Sequence, residues 1–259
     1  MTPIRSLYLA LPLVLASAVA THAADPPGDH YLCYRAVKQF PFVQTTKALT
    51  DQLGGPLTFN VQRVVSLCNP VDKNGEGVTY PQVHQEGYLI KAPPSAPKFV
   101  RRDHVTVDQF GRRTLTILRP DSLLDVTPKA LGTIPPPPFA SDPTSDPGVN
   151  RFKCYKARLA RGSAKFVPPP APTLTDQFFT AGQSFQVRKV TKLCMPVDKQ
   201  GETPAAEIRP THLVCYQVKL PPGVPFTKQT VSTNNPDFGT DVLTVTGPSE
   251  LCLPALKDP

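Results

Sequence analysis

The side chains in this sequence with the greatest chemical potential are its cysteines and the histidines near them. Three stretches place a cysteine beside a tyrosine: HYLCYRAVK at 30–38, RFKCYKARL at 151–159 and HLVCYQVKL at 212–220. A fourth stretch, HQEGYLIK at 84–91, keeps the histidine and the tyrosine but has Gly87 in place of the cysteine. Cysteines in such a setting act as nucleophiles, as metal ligands or as disulfide partners, and their spacing distinguishes these roles.

The spacing of the cysteines favours disulfides. The six cysteines are Cys33, Cys68, Cys154, Cys194, Cys215 and Cys252. None of them forms the Cys-x-x-Cys pair that is typical of structural zinc sites and of thiol redox centres. A catalytic thiol is disfavoured as well, because each cysteine has a partner in an internal repeat.

The repeat has four units, approximately 30–73, 84–129, 151–199 and 212–257. Each unit opens with the Cys-Tyr stretch, continues through a proline-bearing loop and a segment similar to Asp-Gln-Phe, and closes with Leu-Cys-x-Pro. In the second unit Gly87 and Leu124 replace both cysteines together. Loss of one alone would leave a free thiol in an oxidising compartment, so joint loss predicts pairing within each unit. The predicted disulfides are Cys33–Cys68, Cys154–Cys194 and Cys215–Cys252.

The N-terminus predicts export. Arg5 precedes an apolar run, LYLALPLVLASAVA at 7–20, and small residues up to Ala23 form a cleavage site, so 1–23 is predicted to be a signal peptide. The run is too short to span a bilayer comfortably. We therefore expect a periplasmic or extracellular protein with no transmembrane anchor after cleavage.

The composition predicts an all-β fold. Of 259 residues 33 are proline, and proline interrupts helices. Alternating segments such as TFNVQRV at 58–64 indicate half-buried strands, which disfavours disorder throughout. The proline-rich stretch at 131–149 is predicted to link two tandem domains, 24–130 and 150–259. Each domain is expected to be a β-sandwich or small closed barrel made by an internal pseudo-twofold duplication.

The histidines suggest a second kind of site. His30, His84 and His212 occupy the same position in their units, three residues before the cysteine position, and Arg151 stands there in the third unit. One hypothesis is a metal or pH-responsive site where His30 and His84 converge. The alternative is a repeated structural contact at the start of a strand. Arg151 favours the structural alternative, because guanidinium does not coordinate metals as imidazole does.

Two other patterns have structural explanations. Asp72, Asn74 and Glu76 match the start of a calcium loop, but Val83 stands where the bidentate glutamate belongs. A turn explains the Asn-Gly pair without a metal. The basic segments 98–113 and 151–165 suit acidic glycans, lipid headgroups or nucleic acid, yet no nucleic-acid motif accompanies them. We expect solvated strand faces there and no nucleic-acid partner.

The combination His-x-x-Cys-Tyr, Asp-Gln-Phe and Leu-Cys-x-Pro-x-x-Lys resembles an uncharacterised family of exported bacterial proteins built from repeats of such a domain. The resemblance implies export and a β-rich domain. It assigns no functional residue, because that family has no assigned activity.

The sequence predicts a non-enzymatic, disulfide-stabilised interaction or structural module, with an unknown protein or glycan partner outside the cytoplasm and no cofactor. It contains no nucleophile elbow, zinc-protease motif, phosphate loop or dinucleotide fingerprint. The alternative is a hydrolase that acts on an extracellular polymer through carboxylates, which have no reliable spacing signature.

Overall fold

The computed structural model of the protein describes residues 27–258, so the predicted signal peptide, 1–23, lies outside the described residues. The described chain is all-β, as predicted, with 15 strands and two 3₁₀ helices of three residues, Pro143–Ser145 and Ala206–Ile208. The strands in chain order are β1 (His30–Lys38), β2 (Thr45–Asp51), β3 (Gly54–Lys73), β4 (His84–Lys91), β5 (Arg102–Asp108), β6 (Gly111–Thr127), β7 (Lys129–Leu131), β8 (Phe152–Leu159), β9 (Thr173–Thr175), β10 (Gln183–Ser184), β11 (Gln186–Pro196), β12 (Asp198–Lys199), β13 (His212–Lys219), β14 (Gln229–Asn235) and β15 (Gly239–Lys257).

Eight strands form a closed ring. Antiparallel pairing runs in the order β1, β3, β4, β6, β8, β11, β13 and β15, and β15 pairs again with β1. Each unit contributes two neighbouring strands, the one with which it opens and the one with which it closes. Because a closed ring has no free edge, every unit is paired on both sides.

The ring does not establish the predicted pair of tandem domains. β6 of the second unit pairs with β8 of the third, across the stretch 131–149, and β15 of the fourth unit pairs with β1 of the first. One sheet therefore joins all four units, and a division into two pseudo-symmetric domains is not established. The repeat in the sequence predicts equivalent strands in the units, but it does not predict how many units close one ring.

The cysteines face the inside of the ring. Side chains alternate between the faces of a strand, so on β1 Tyr31 and Cys33 project from one face and Leu32 and Tyr34 from the other. Ten buried residues on the cysteine face, from seven of the eight ring strands, pack into one cluster. The cluster comprises Tyr31, Cys33, Cys68, Leu124, Phe152, Cys154, Cys194, Leu213, Cys215 and Cys252. Residues from opposite sides of a closed ring can meet in this way only in its interior.

The opposite face carries four buried tyrosines, one in each unit. They are Tyr34, Tyr88, Tyr155 and Tyr216. Other parts of the chain cover them from outside, among them the hairpins β2–β3, β5–β6 and β14–β15 and the segment around β9 and β10, and the whole layer forms the larger hydrophobic cluster of the protein.

The covering segments connect units that are not neighbours in the ring. Tyr34 of unit 1 donates a hydrogen bond to Asp176 of unit 3, with 2.7 Å between the oxygens. Tyr155 of unit 3 donates in return to Asp51 of unit 1, at 2.5 Å. Units 1 and 3 are thus joined reciprocally.

Units 2 and 4 exchange their covering segments in a similar way. Tyr216 of unit 4 donates to Asp108 of unit 2, at 2.5 Å. Over Tyr88 of unit 2 lies the diverged segment of unit 4, where Asn235 replaces the aspartate and Phe238 packs with its ring centroid 4.1 Å from that of Tyr88. Asn235 still accepts from the amide of Asp237, and so preserves the turn that Asp51 forms in unit 1.

The stretch 131–149 lies against the sheet. The amide of Gly132 donates to the carbonyl of Thr230 at 2.8 Å, and the side chain of Asn234 donates to the carbonyl of Pro136 at 3.0 Å. β7, at the start of this stretch, pairs with β14. These bonds attach the stretch to the segment that covers Tyr88.

Candidate functional site

The ring encloses a cavity of about 790 Å³. Its lining includes Ser66 on β3 and Lys192 on β11, which lie on opposite sides of the ring, so the cavity occupies the ring interior. The cysteine cluster forms the adjoining layer, since Arg35 and Gln217 in the lining follow Cys33 and Cys215 by two residues on the same face. A cavity of this volume is within the range of small-molecule binding sites.

Lys192 is the central charged group of the cavity. Its Nζ lies 2.9 Å from Glu250 Oε2 and 3.5 Å from Asp121 Oδ2. Burial disfavours the charged form of Lys192, but the attraction of Glu250 and Asp121 outweighs burial and raises its pKa above the usual value. Lys192 therefore stays cationic and holds both carboxylates against the wall.

Basic side chains continue along the wall next to Lys192. Lys156 on β8 is directly opposite Lys192 on one neighbouring strand and Arg119 on the other, so the three project from the same face. Lys156 Nζ is 3.6 Å from Asp121 Oδ1. Lys192 and Lys156 thus share Asp121, and Arg119 adds a third cation on the same face.

Arg35 approaches the cavity from β1. Its guanidinium donates to the carbonyl of Pro248 at 3.5 Å and passes next to Gly247. A Cβ on Gly247 would lie 3.1 Å from Arg35 Nη2, and the φ of Gly247 is 150°, a conformation that favours glycine. Glycine at 247 therefore gives Arg35 the space that it occupies.

Three disulfides form the layer next to the cavity. They join Cys33 to Cys68, Cys154 to Cys194 and Cys215 to Cys252, and these are the pairings expected from the repeat. In unit 2 Gly87 lies opposite Leu124, whose side chain takes the place of the missing bridge. A Cβ on Gly87 would lie 2.0 Å from Ser66 Oγ, so the neighbouring strand occupies the space of a cysteine side chain.

The histidines lie on the outer face, at the start of their strands, and have different neighbours. His30 Nε2 is 2.8 Å from Glu76 Oε2. Burial, followed by the charge of Lys129, lowers the pKa of His84 well below its usual value. His212 contacts the carbonyl of Pro210 at 2.8 Å, and burial lowers its pKa to about 4.

The structure gives these positions structural contacts. Within residues 27–258 no group of three or more His, Cys, Asp or Glu side chains is arranged to hold a metal ion. Arg151, at the equivalent position of unit 3, donates from Nε to Asp125 at 2.7 Å. The hypothesis of a shared His30–His84 site stays a prediction without a supporting contact.

The residues of the calcium-like loop form a turn. Asp72 accepts a hydrogen bond from the amide of Gly77 at 3.0 Å, and Asn74 accepts one from the amide of Thr173 at 2.9 Å. Glu76 contacts Lys73 and His30. Asn74 thus connects units 1 and 3, whereas Asp72 and Glu76 stabilise the turn that follows β3.

The basic segments found in the sequence do not form a single surface. Arg113 is paired with Asp108, Arg151 with Asp125, and Lys153 with Asp51, and all three cations are largely buried. The basic cavity residues Arg35 and Lys192 lie in other parts of the sequence. An alignment of the four units on their cysteines would identify Arg35 and Lys192 as inward-facing residues, because each lies two residues from a cysteine on the same strand.

A buried acid near the outer layer should make stability depend on pH. Burial, followed by the nearby charge of Asp241, raises the pKa of Glu86 to about 8. An unfolded glutamate releases its proton near pH 4, so folded Glu86 keeps a proton that the unfolded chain loses, and stability falls as pH rises from about 4.5 to 8.

Replacement of this acid tests the effect. The glutamine of Glu86→Gln stays neutral at every pH, so we expect the variant to lack the fall in stability that Glu86 causes as pH rises. It should be more stable than the wild type by a few kcal/mol at pH 8.5, with a much smaller difference at pH 4. Urea unfolding at both pH values measures it, and Asp103→Asn on the exposed part of β5 is the control. Equal pH profiles for Glu86→Gln and the wild type would contradict the raised pKa.

The fold and the cavity define an all-β protein with a disulfide-lined ring and a charged central cavity. Comparison of the chain with protein-family models, with curated proteins and with solved structures finds no match. Within residues 27–258 no helix has the length and apolar character needed to cross a membrane.

Proposed function

We propose that this protein is an exported, non-enzymatic binding protein of the cell envelope or exterior whose ligand occupies the cavity of the ring. The cavity is the observation that carries the proposal, because strands of all four units contribute to its lining. Three disulfides next to it are compatible with an oxidising, exported setting. The predicted signal peptide and the resemblance to exported repeat proteins support the same location.

The arrangement of the cavity suits binding by a preformed site. Its walls are ring strands that are paired on both sides. In the layer of the ring interior next to the cavity, disulfides join the two ring strands of units 1, 3 and 4. A wall held in this way does not need to be ordered when the ligand arrives, and this reduces the entropic cost of binding.

A hydrolase acting on an extracellular polymer is the second function considered. Asp121 and Glu250 are two carboxylates in one cavity, as such an enzyme requires. Lys192 contacts both of them, whereas a glycosidase leaves the space between its carboxylates for the scissile bond. The position of Lys192 favours binding over hydrolysis.

The experiment is a binding screen of the mature chain against glycans, cell-wall material and exported proteins, with a variant whose cavity is filled. Gln217→Trp places a large side chain in the cavity lining, and Gln229→Trp on β14 is the matched control outside that lining. We expect the wild type and Gln229→Trp to bind the same ligand and Gln217→Trp to lose it. Binding that survives in Gln217→Trp would contradict a site in the cavity, and hydrolysis of a polymer that Asp121→Asn abolishes would support the alternative.

A further inference from the structure

The cavity and its mouth carry an excess of positive charge. The basic residues in the lining are Arg35, Lys189, Lys192 and Lys219, and the acidic residues are Asp121 and Glu250. Strand pairing places three more cations on the same face: Arg119 and Lys156 on adjacent strands, and Arg63 opposite Leu89, a lining residue. Seven cations and two anions therefore share this inner surface.

The acids neutralise only one part of the surface. Asp121 and Glu250 both contact Lys192, and Asp121 also contacts Lys156. Lys189 and Lys219 are exposed at the mouth. A concave wall with one sign of charge focuses the electric field and raises the local concentration of counter-ions, so the mouth favours an anionic ligand.

The uncharged part of the lining is rich in hydrogen-bonding groups. Hydroxyl and amide side chains come from β3, β11, β13 and β15. They are Ser66, Thr191, Gln217, Thr246 and Ser249. Such groups both donate and accept hydrogen bonds, which suits a ligand with many hydroxyl groups. Phe226 is the only aromatic side chain in this lining, so the cavity does not offer the series of stacking surfaces with which proteins hold single-stranded nucleic acid.

We propose that the ligand is an acidic oligosaccharide, a short sugar chain that carries carboxylate, sulfate or phosphate groups. This inference rests on the proposed function, because it names the ligand of the same cavity. The hydroxyl and amide groups of the wall bind the sugar hydroxyls, and the cations of the mouth bind the acidic groups. Arg35 supplies planar N–H donors that match a carboxylate or a sulfate.

The experiment measures the affinity of the mature protein by calorimetry for four probes: a heparin-derived tetrasaccharide, a galacturonate trimer, a phosphorylated mannose disaccharide and neutral maltotriose. The four arms separate sulfate, carboxylate, phosphate and uncharged sugar. We expect at least one acidic probe to bind at least tenfold more tightly than maltotriose, with an affinity that falls as salt is added.

Two sets of variants localise the charge. We expect the double variant Lys189→Gln, Lys219→Gln to weaken binding of the acidic probe about tenfold, while the control Lys98→Gln, Arg112→Gln, with the same change of net charge outside the lining, leaves it within about twofold. Glu250→Gln removes a competing anion from Lys192, so it should tighten binding.

Three results would overturn the inference. Maltotriose that binds as tightly as the acidic probes would show a cavity that does not select for charge, and the proposed binding function would stand. A loss of affinity that is equal in the Lys189, Lys219 variant and in its control would place the anion elsewhere on the surface. If none of the four sugars binds to the folded protein, the inference of an acidic oligosaccharide is overturned, while the wider binding screen tests the binding function separately.

Discussion

Neither half of the chain is expected to fold alone, although the two halves expressed together should assemble. In the ring, residues 24–130 provide β1, β3, β4 and β6, and β1 and β6 then need β15 and β8 of the other half as pairing partners. Each half alone would expose two long strand edges, and unpaired strand edges promote aggregation.

The tyrosine layer strengthens this expectation. Tyr34 receives its hydrogen-bond acceptor Asp176 from the second half, and Tyr155 receives Asp51 from the first. Either half alone would expose its buried tyrosines to water together with the apolar side chains around them. The loss of burial extends through the larger hydrophobic cluster, to which both halves contribute.

Expression of 24–130, of 150–259 and of both from one oxidising host measures the effect. We expect amide NMR spectra with poor dispersion from each half alone, and a dispersed spectrum from the co-expressed pair. A dispersed spectrum and a cooperative thermal transition from either half alone would contradict this expectation and support the prediction of two tandem domains.

Replacement of Asp125 by alanine is expected to cost about 3 kcal/mol of the free energy of unfolding. Asp125 is buried between two cations: it accepts from Arg151 Nε at 2.7 Å and lies 3.0 Å from Lys199 Nζ. Arg151 and Lys199 are almost entirely buried too. Alanine would leave two buried cations with one acceptor fewer, and removal of one partner from a buried ionic group is far more costly than loss of a surface pair.

Other contacts of the cations limit the cost. Arg151 also contacts Asp142 at 2.9 Å, and Lys199 also contacts Glu202 at 3.2 Å, so neither cation is left without an acid. Asp125→Asn, which keeps the shape and loses the charge, should be intermediate. Asp103→Ala on the exposed part of β5 is the control and should change stability by less than about 0.5 kcal/mol. Urea unfolding at neutral pH gives the three values, and equal midpoints for Asp125→Ala and Asp103→Ala would contradict the role of the buried network.

The sequence predicted local features of this protein well. The alternation of apolar residues predicted strands, and the joint replacement of cysteines at 87 and 124 predicted the partner of each remaining cysteine. Both predictions concern contacts that lie within one unit. The shared position of His30 and Arg151 likewise favoured a contact at the start of a strand, and both residues contact a carboxylate in the structure.

The features that depend on contacts between units could not be predicted in the same way. In the Asp-Gln-Phe segment of unit 3, Asp176 accepts a hydrogen bond from the amide of Phe178, which is a local contact. Its second contact, with Tyr34 in a unit 142 residues away, has no signal in one sequence. The cavity was missed for a related reason. Arg35, Lys192 and Glu250 each lie two residues from a cysteine, which places each one on the inward face, but they come together only when the ring closes.

The disulfide layer makes the cavity a dead end. Ten buried side chains close the ring interior next to the cavity, so a ligand that enters at the mouth has no exit on the other side. A long polymer cannot pass through such a space, and only its terminus can be inserted. Binding would then depend on the concentration of polymer ends. At a constant mass of polymer, cutting the polymer into shorter pieces would increase the fraction of the protein that is occupied.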